Sequence, residues 1–264
     1  MRILAIGDIF GRVGRRTLKQ GLANILTLTK ADFVVANGEN LAGGFGITRD
    51  AVEEVFAMGV DVMTSGNHIW DKKEALQLLE THRNILRPAN YPARAPGKGS
   101  GVFKSKSGKM VGVINLQGRV FMDAINCPFD QAEIELARVG AETKVILVDI
   151  HAEATSEKIA MGHLLDGRVS AIMGTHTHVQ TADAKIMPRG SAYISDLGMT
   201  GPSHSIIGVR PDIIMKRFLM KLPERFSEAM GPGQFNGVVL DVDEGSGLAK
   251  SIEPLQVNYE ETHH

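Results

Sequence analysis

Short runs of aliphatic residues alternate with longer stretches of helical periodicity through the first two thirds of the chain. Short apolar runs are typical of buried strands, and apolar residues at i, i+3, i+4 and i+7 indicate amphipathic helices. The pattern predicts strands at residues 3–7, 33–36, 60–64, 101–104, 110–116, 145–150 and 169–173. It predicts helices at about residues 15–28, 49–58, 72–80 and 130–138, with another before residue 169. The last third is richer in strands, at 192–194, 238–242 and 250–257.

Two loops affect the predicted organisation. Gly108-Lys109 lies between the strands 101–104 and 110–116, which indicates a hairpin. The Pro/Gly-rich segment 88–101 is the only candidate for a domain boundary, and we interpret it as an insertion rather than a linker. Repeated strand–helix units with a few antiparallel strands are typical of an α/β layered sandwich. The chain is therefore predicted to form a single α/β domain over residues 1–264.

Clusters of polar residues follow five of the predicted strands at the point where each strand ends. They are Gly7-Asp8, Asn37-Gly38-Glu39-Asn40, Gly66-Asn67-His68, Asp149-Ile150-His151 and Gly174-Thr175-His176-Thr177-His178. The carboxyl ends of parallel strands line one crevice in an open α/β sheet, so these clusters are expected to converge. Chance placement would scatter them over both ends of the sheet.

The residue types in these clusters suit metal ions. Carboxylates, amide oxygens and imidazoles together favour Mn, Fe or Zn over Mg or Ca. Glu39 has two carboxylate oxygens and can bridge two ions, and two ions about 3.5–4 Å apart can clamp both oxygens of a phosphoryl displacement. Asn40 and Asn67 are neutral ligands, which would leave the site positive enough to accept a phosphate.

Each cluster also has an ordinary structural explanation. Asp8 after a strand can cap a helix, Asn37-Gly38 is typical of a turn, and an isolated His151 is typical of a hydrogen-bonded core histidine. The pair His176 and His178 is a stronger indication of metal binding. All the ordinary explanations have to hold together for the site to be absent, so a metal site is the favoured interpretation.

Composition and charge narrow the class of protein further. Apolar residues make up 43% of the chain and charged residues 22%, which is ordinary for a globular domain. The single cysteine, Cys127, excludes an intrachain disulfide and is compatible with a reducing compartment. The net charge of −1 argues against broad nucleic-acid binding. The apolar runs are too short for a signal peptide or a membrane span, so we expect a cytoplasmic protein, and we assign no function to His263-His264.

The ordered motifs resemble those of the calcineurin-like metallophosphoesterases over roughly residues 2–200. That family has Asp-x-His, Gly-Asp-x-x, Gly-Asn-His-(Asp/Glu), an isolated His and Gly-His-x-His at successive strand ends. Gly66-Asn67-His68 and the run 174–178 match closely, and His151 takes the place of the isolated histidine. Two departures matter: Phe10 stands where the usual histidine ligand is found, and Glu39 stands where most members have Asp.

Both departures resemble the YmdB-type subfamily of these enzymes, as does the glycine-rich run 37–48. In that subfamily Asn40 would replace the missing histidine as a ligand. The resemblance implies a four-layer α/β/β/α sandwich, phosphodiesterase activity on cyclic nucleotides, 2′,3′-cyclic nucleoside monophosphates in particular, and a regulatory role tied to RNA turnover in bacteria. It implies two divalent or mixed-valence metal ions, with iron or manganese favoured and zinc compatible. The expected partner is a nucleotide or other phosphodiester substrate, and a homo-oligomer is compatible with the sequence.

We hypothesise a two-ion mechanism on this basis. One ion would be held by Asp8, Glu39, Asn40 and His178, and the other by Glu39, Asn67, His151 and His176. A metal-bound hydroxide would attack phosphorus in line. His68 would be the catalytic acid that protonates the leaving oxygen, since an imidazole exchanges its proton near neutral pH. The alternative for His68 is a residue that only orients a ligand.

Four residues are predicted to contact the substrate. Gly43 and Gly44 would let the backbone approach it, and Phe45 would stack on a base, although the same run is equally typical of a flexible surface turn. His204 lies in a segment after Gly201-Pro202 that would reach the same mouth, with an exposed loop as the alternative.

Three other functions compete with this interpretation. Gly7, Gly11 and Gly14 suggest a dinucleotide site, but their spacing misses the G-x-G-x-x-G fingerprint and leaves the His and Asn clusters unexplained. A phosphomonoesterase would use the same metal site, and relative rates on bis- and mono-p-nitrophenyl phosphate would distinguish it. A non-enzymatic regulator would hold a structural metal, and a His68→Ala variant that keeps its metals with unchanged biology would favour it.

Overall fold

The computed structural model describes residues 1–260, so His263 and His264 lie outside the described residues. Its strands are β1 (Arg2–Ile6), β2 (Asp8–Ile9), β3 (Phe33–Asn37), β4 (Val62–Thr64), β5 (Ser100–Lys104), β6 (Met110–Gln117), β7 (Ile146–His151), β8 (Ala171–Thr175), β9 (Lys185–Ile186), β10 (Ala192–Ile194), β11 (Met199–Pro202), β12 (Gly233–Val242) and β13 (Ala249–Tyr259). Its helices are α1 (Gly11–Thr29), α2 (Arg49–Ala57), α3 (Glu74–Thr81), α4 (Pro128–Gly140), α5 (Thr155–Leu165) and α6 (Pro211–Met220), with a 3₁₀ helix at Asn67–Trp70. None of the helices within residues 1–260 is long and apolar enough to cross a membrane.

The strands form two sheets. The first has the order β2-β11-β12-β1-β3-β4, with β13 paired to β12, and the second has the order β5-β6-β7-β8-β10-β9. In the first sheet β1, β3 and β4 are parallel, and in the second β6, β7, β8 and β10 are parallel. The register places the ends of neighbouring strands side by side: Asn37 pairs with Thr64 in the first sheet, and His151 pairs with Thr175 in the second.

Three apolar layers hold the two sheets and their helices together. The layer between the sheets contains Ile3 and Phe33 from the first sheet and Leu147 and Met173 from the second, all buried. Helices α1, α2 and α3 pack on the outer face of the first sheet, and α4 and α5 pack on the outer face of the second. The predicted four-layer α/β/β/α sandwich is therefore confirmed.

The predicted hairpin is also confirmed, because β5 and β6 pair antiparallel around a turn at Gly108, where φ is +87°. The segment 88–101 packs against the second sheet. The backbone N–H of Ala89 donates to the Asn115 carbonyl, and the buried Arg87 guanidinium donates to the carbonyl oxygens of Pro88 and Pro96.

The pattern missed several elements. Helix α1 begins at Gly11 rather than near residue 15, because its first turn packs through small residues: a Cβ at Gly14 would lie 2.4 Å from the Thr200 carbonyl oxygen of β11. Helix α6 was not predicted, since only Ile214 of its apolar residues is buried and the usual inward-facing stripe is absent. Strands β2, β9 and β11 are two to four residues long, too short for a periodic pattern.

Candidate metal centre

The carboxyl ends of strands from both sheets meet at one edge of the sandwich. Asp8 follows β1, Glu39 follows β3, Asn67 follows β4, His151 ends β7, and His176 follows β8. Asp8, Glu39 and His151 are at most 1% exposed, although each has a polar or charged side chain. Such groups are buried only when they are paired or bind a metal ion. The structure thus brings together side chains that the sequence separates by up to 168 positions.

Three donor atoms lie around the Nε2 atom of His151. Nδ1 of His176 lies 3.0 Å from it, Oδ1 of Asn67 3.1 Å, and Oε1 of Glu39 3.2 Å. Glu39, His151 and His176 form a group whose ligand atoms all lie within 4.8 Å of one another. Donor atoms bound about 2.0–2.2 Å from a common ion lie roughly 3 Å apart, so these spacings fit a metal site.

Hydrogen bonds from the histidine rings to residues outside the group of donors determine which ring nitrogens face the centre. Thr175 Oγ1 donates to Asp149 Oδ1 at 2.7 Å, so it accepts from Nδ1–H of His151 at 2.9 Å. His176 Nε2 lies 3.2 Å from Glu153 Oε2, which can only accept. These tautomers are assigned from the partners. They leave Nε2 of His151 and Nδ1 of His176 as unprotonated nitrogens 3.0 Å apart, which is the arrangement expected of two ligands of one cation.

A second group of donors contains Asp8, Asn40 and His178. Asp8 Oδ1 is 3.8 Å from His178 Nε2. Nδ1–H of His178 donates to the Ile207 carbonyl at 2.9 Å, which leaves Nε2 free to bind a metal. Asn40 donates through Nδ2 to the Gly44 carbonyl at 2.9 Å, which directs its other amide atom away from that bond.

Three buried oxygens in the centre accept no hydrogen bond from any residue in 1–260: Asp8 Oδ1, Glu39 Oε1 and Asn40 Oδ1. Leaving a buried acceptor unpaired costs about 1–3 kcal/mol, and three adjacent ones are not a usual packing outcome. Metal ions satisfy carboxylate and amide oxygens directly. The residues of the centre therefore fit bound metal ions.

The charges in the centre perturb one another strongly. Burial raises the pKa of Asp8 to about 6. Burial also disfavours the charged form of Glu39, but His151 outweighs it and lowers the pKa of Glu39 to about 2. Burial opposes protonation of His151, yet the Glu39 carboxylate raises its pKa to about 9, while burial and the charge on His151 lower the pKa of His176 to about 3.

The segment carrying His176 and His178 is held in a strained conformation. Both histidines have positive φ angles, +98° and +64°, which non-glycine residues rarely adopt. Between them Thr177 donates to Asp196 Oδ2 through its backbone N–H at 3.1 Å and its hydroxyl at 2.7 Å. Asp196 in turn pairs with Lys158 at 2.8 Å, with both side chains 1% exposed. This buried ion pair fixes the strained segment against the centre.

His68 lines a cavity of about 270 Å³ beside the metal centre, together with Glu39, Asn40 and His178. Its backbone N–H donates to Glu39 Oε2 at 2.9 Å, and its ring Nδ1–H donates to Asp71 Oδ2 at 2.8 Å. The ring's Nε2 is then the atom available to a ligand. Both of the roles predicted for His68, catalytic acid and orienting residue, remain compatible with this position.

The predicted substrate contacts divide into two pairs. Gly44 and Phe45 line the same cavity. Gly43 and His204 are exposed and are not among the residues that line it, so their contact with a substrate stays a prediction. The loop after His204 reaches the cavity through Ile207 and Val209, and Gly208 packs on Phe10, since a Cβ at Gly208 would lie 2.6 Å from its ring.

Several supporting residues had no role in the sequence prediction. Asp149, Thr175, Asp196, Lys158 and Glu153 position the donors without belonging to them. A signal existed for Asp149, since it interrupts an otherwise apolar strand and is 4% exposed. No local pattern distinguishes Lys158, because a lysine in a helix is normally on the surface.

A four-layer sandwich whose two sheets meet at a cluster of His, Asn, Asp and Glu donors defines a metallophosphoesterase. The chain belongs to the YmdB-like protein family, whose model matches residues 4–255.

Individual relatives agree with this membership. The chain is 46% identical to the 2′,3′-cyclic-nucleotide 2′-phosphodiesterase of Bacillus subtilis (strain 168), over 98% of this chain and 97% of that protein. Its fold is similar to that of a hypothetical protein from Thermus thermophilus, with a TM-score of 0.93, 41% identity, and coverage of 98% of this chain and 100% of that one. It is also similar to a novel phosphatase from Mycoplasma pneumoniae, with a TM-score of 0.93, 32% identity, and coverage of 98% and 94%.

Proposed function

We propose that this chain is a two-metal phosphodiesterase that hydrolyses 2′,3′-cyclic nucleoside monophosphates at the 2′ ester bond. The observation that carries the proposal is the convergence of lone-pair donors on His151 Nε2 at 3.0–3.2 Å, next to three buried oxygens without hydrogen-bond donors. The name of the Bacillus subtilis relative supports the substrate class and the bond that is broken.

Each residue has a defined task in this proposal. Asp8, Glu39, Asn40 and His178 would hold one ion, and Glu39, Asn67, His151 and His176 would hold the other. Bound ions supply an activated water and offset charge on the phosphate oxygens. Iron or manganese suits this mixture of imidazole, amide and carboxylate donors, and zinc is compatible with it.

The proton on the leaving oxygen comes from His68 in this proposal. Asp71 accepts from Nδ1–H, so in the imidazolium form of His68 the second proton is on Nε2, which is the proton that the acid would transfer to the leaving oxygen. Breaking the P–O2′ bond produces a poor alkoxide leaving group, which requires a proton as it departs. Because the backbone N–H of His68 is the group that contacts Glu39, the side chain is free for this task.

Removing the metal is expected to abolish turnover. Purified protein should contain about two ions per chain by elemental analysis, since the donors form two groups around Glu39. Hydrolysis of 2′,3′-cyclic AMP should cease with chelator and return when Mn²⁺ or Fe²⁺ is added. Protein that binds none of Mn, Fe or Zn and remains inactive after their addition would contradict the proposal. Faster turnover of mono- than of bis-p-nitrophenyl phosphate would instead indicate a monoesterase.

Replacing His68 by alanine is expected to lower kcat on 2′,3′-cyclic AMP by about 10²–10⁴-fold, the usual contribution of general acid catalysis. The metal content should not change, because the side chain is not among the donors. The loss should be much smaller on bis-p-nitrophenyl phosphate, since nitrophenolate leaves without protonation. His163→Ala, at an exposed histidine of α5, is the matched control and should match wild type. An equal loss on both substrates would indicate that His68 only orients a ligand.

A further inference from the structure

Phe121 is the most exposed large apolar side chain of the described residues, at 89%, and its backbone has a φ of +62°. Glycine adopts that conformation without strain, whereas phenylalanine does not. An exposed ring gains no packing in compensation. A strained backbone that presents an unpacked aromatic ring is a feature found at ligand sites.

The ring lies at the mouth of a second cavity at the metal centre. This cavity has a volume of about 390 Å³ and is lined by Asn67, His176, Phe121, Met122 and Asp123. It shares His176 with the cavity that contains His68. The centre thus has two openings, and Phe121 stands at the one lined by Asn67.

The loop that carries Phe121 is fixed rather than free. The backbone N–H groups of Arg119 and Val120 donate to the buried carboxylate of Glu157 at 3.0 to 3.2 Å. The N–H of Gly118 donates to the carbonyl of His151 at 2.9 Å. The loop that carries Phe121 is therefore hydrogen-bonded to His151, a residue of the metal centre.

Phe45, an aromatic residue of the His68 cavity, already packs against two other rings. It stacks on Phe226 with ring centroids 6.1 Å apart and an angle of 9°, and it makes an edge contact with His68 at 5.0 Å. The ring of Phe45 is therefore partly covered, whereas the ring of Phe121 is 89% exposed.

We propose that Phe121 is a specificity-determining residue that stacks on the nucleobase of the substrate while the phosphate is bound at the metal centre. The inference rests on the proposed function and deepens it. Every base has a π-face, so stacking gives affinity for nucleotides as a class, stronger for purines. The leaving oxygen would then lie in the His68 cavity, which is smaller and is lined by Phe45 and Phe226.

The test compares a substrate that carries a base with one that lacks it. In Phe121→Ala the KM for 2′,3′-cyclic AMP should rise about tenfold, as expected for one lost base stack, with kcat within about twofold of wild type. The KM for glycerol 1,2-cyclic phosphate, which has no base, should not change. Phe121→Trp should restore affinity for cyclic AMP. Phe218→Ala, at a 62% exposed phenylalanine on α6, is the matched control.

A binding measurement separates this inference from the proposed function. Calorimetric titration of the Mn²⁺-loaded protein with adenosine 3′-phosphate should give a Kd about tenfold weaker in Phe121→Ala, with glycerol phosphate unaffected. That result would support stacking whether or not the protein hydrolyses the cyclic substrates. If wild type hydrolysed neither of them, only the proposed function would be contradicted. Unchanged KM and Kd in Phe121→Ala, or equal losses with and without a base, would overturn the inference.

Discussion

Replacing Glu39 by glutamine is expected to abolish metal binding at one or both sites and to reduce phosphodiesterase turnover by roughly 10³-fold or more. A metal ion acting as a Lewis acid contributes several kcal/mol to the transition state, and each ~1.4 kcal/mol is a factor of ten in rate. Glu39 is 1% exposed, its pKa is about 2, and in the proposed centre it would be the ligand shared by both ions. The glutamine amide carries no negative charge and has only one oxygen, so it could not bind two ions as the carboxylate could.

The loss of metal binding in Glu39→Gln can be measured independently of catalysis, by the metal content and by the change in melting temperature on adding metal. Mn²⁺ should raise the melting temperature of wild type well above that of the chelated protein, since a ligand that binds only the folded state stabilises it. In Glu39→Gln that increase should largely disappear, while the melting temperature in chelator stays close to wild type. Glu142→Gln, an exposed glutamate after α4, makes the same chemical change away from the site and should behave as wild type. A variant with two ions per chain would contradict a shared role for Glu39.

Replacing Lys158 by methionine is expected to destabilise the fold by about 3–5 kcal/mol and to weaken metal binding as well. Removing one partner of a buried ion pair leaves the other charge uncompensated, which costs an amount of this size. Lys158 and Asp196 are both 1% exposed and 2.8 Å apart. Asp196 also holds Thr177, so its displacement would release the strained backbone at His176 and His178.

Urea denaturation with chelator present measures the free energy of unfolding without any contribution from bound metal. The double variant Lys158→Met/Asp196→Asn should recover part of the loss, because it removes the unpaired charge. Metal affinity should recover less, because the asparagine amide cannot accept as many bonds from Thr177 and Gly198. Lys19→Met, at an exposed lysine of α1, should change stability by less than about 0.5 kcal/mol. If Lys158→Met lowered the free energy of unfolding by less than about 1 kcal/mol, the buried Asp196 would not need Lys158 as its charge partner.

The fold was predictable to the extent that its elements carry local signals. Strands β1, β3 and β8 are mostly apolar runs, β7 is an apolar run interrupted by Asp149, and α2, α3 and α4 have regular apolar faces, so the hydrophobic pattern identified them. Helix α6 was missed because its apolar side chains are largely exposed. The short strands β2 and β11 exist because they pair with each other, Met199 opposite Asp8 and Thr200 opposite Ile9, which no local pattern encodes.

The residues around the candidate centre also fall into those that the sequence could identify and those that it could not. Asp8, Glu39, Asn67, His151 and the pair His176 and His178 could be selected from the sequence, since each follows an apolar run and parallel strands end together. Their role as metal ligands stays a prediction that elemental analysis will test. The exposed positions of Gly43 and His204 outside the His68 cavity, and the positions of Phe121 and Asp196, could not be predicted from the sequence. They depend on how loops fold back over the edge of the sandwich.

The sequence by itself determined the elements of the sandwich and the chemical types at its strand ends, because hydrophobic periodicity and side-chain chemistry are local properties. Only the tertiary structure decided which atoms face one another. The tautomer of His151 depends on Thr175 and Asp149, and the orientation of His178 depends on the carbonyl of Ile207. These contacts join residues from different strands and loops, so their geometry follows from packing two sheets together, which the order of residues along the chain does not specify.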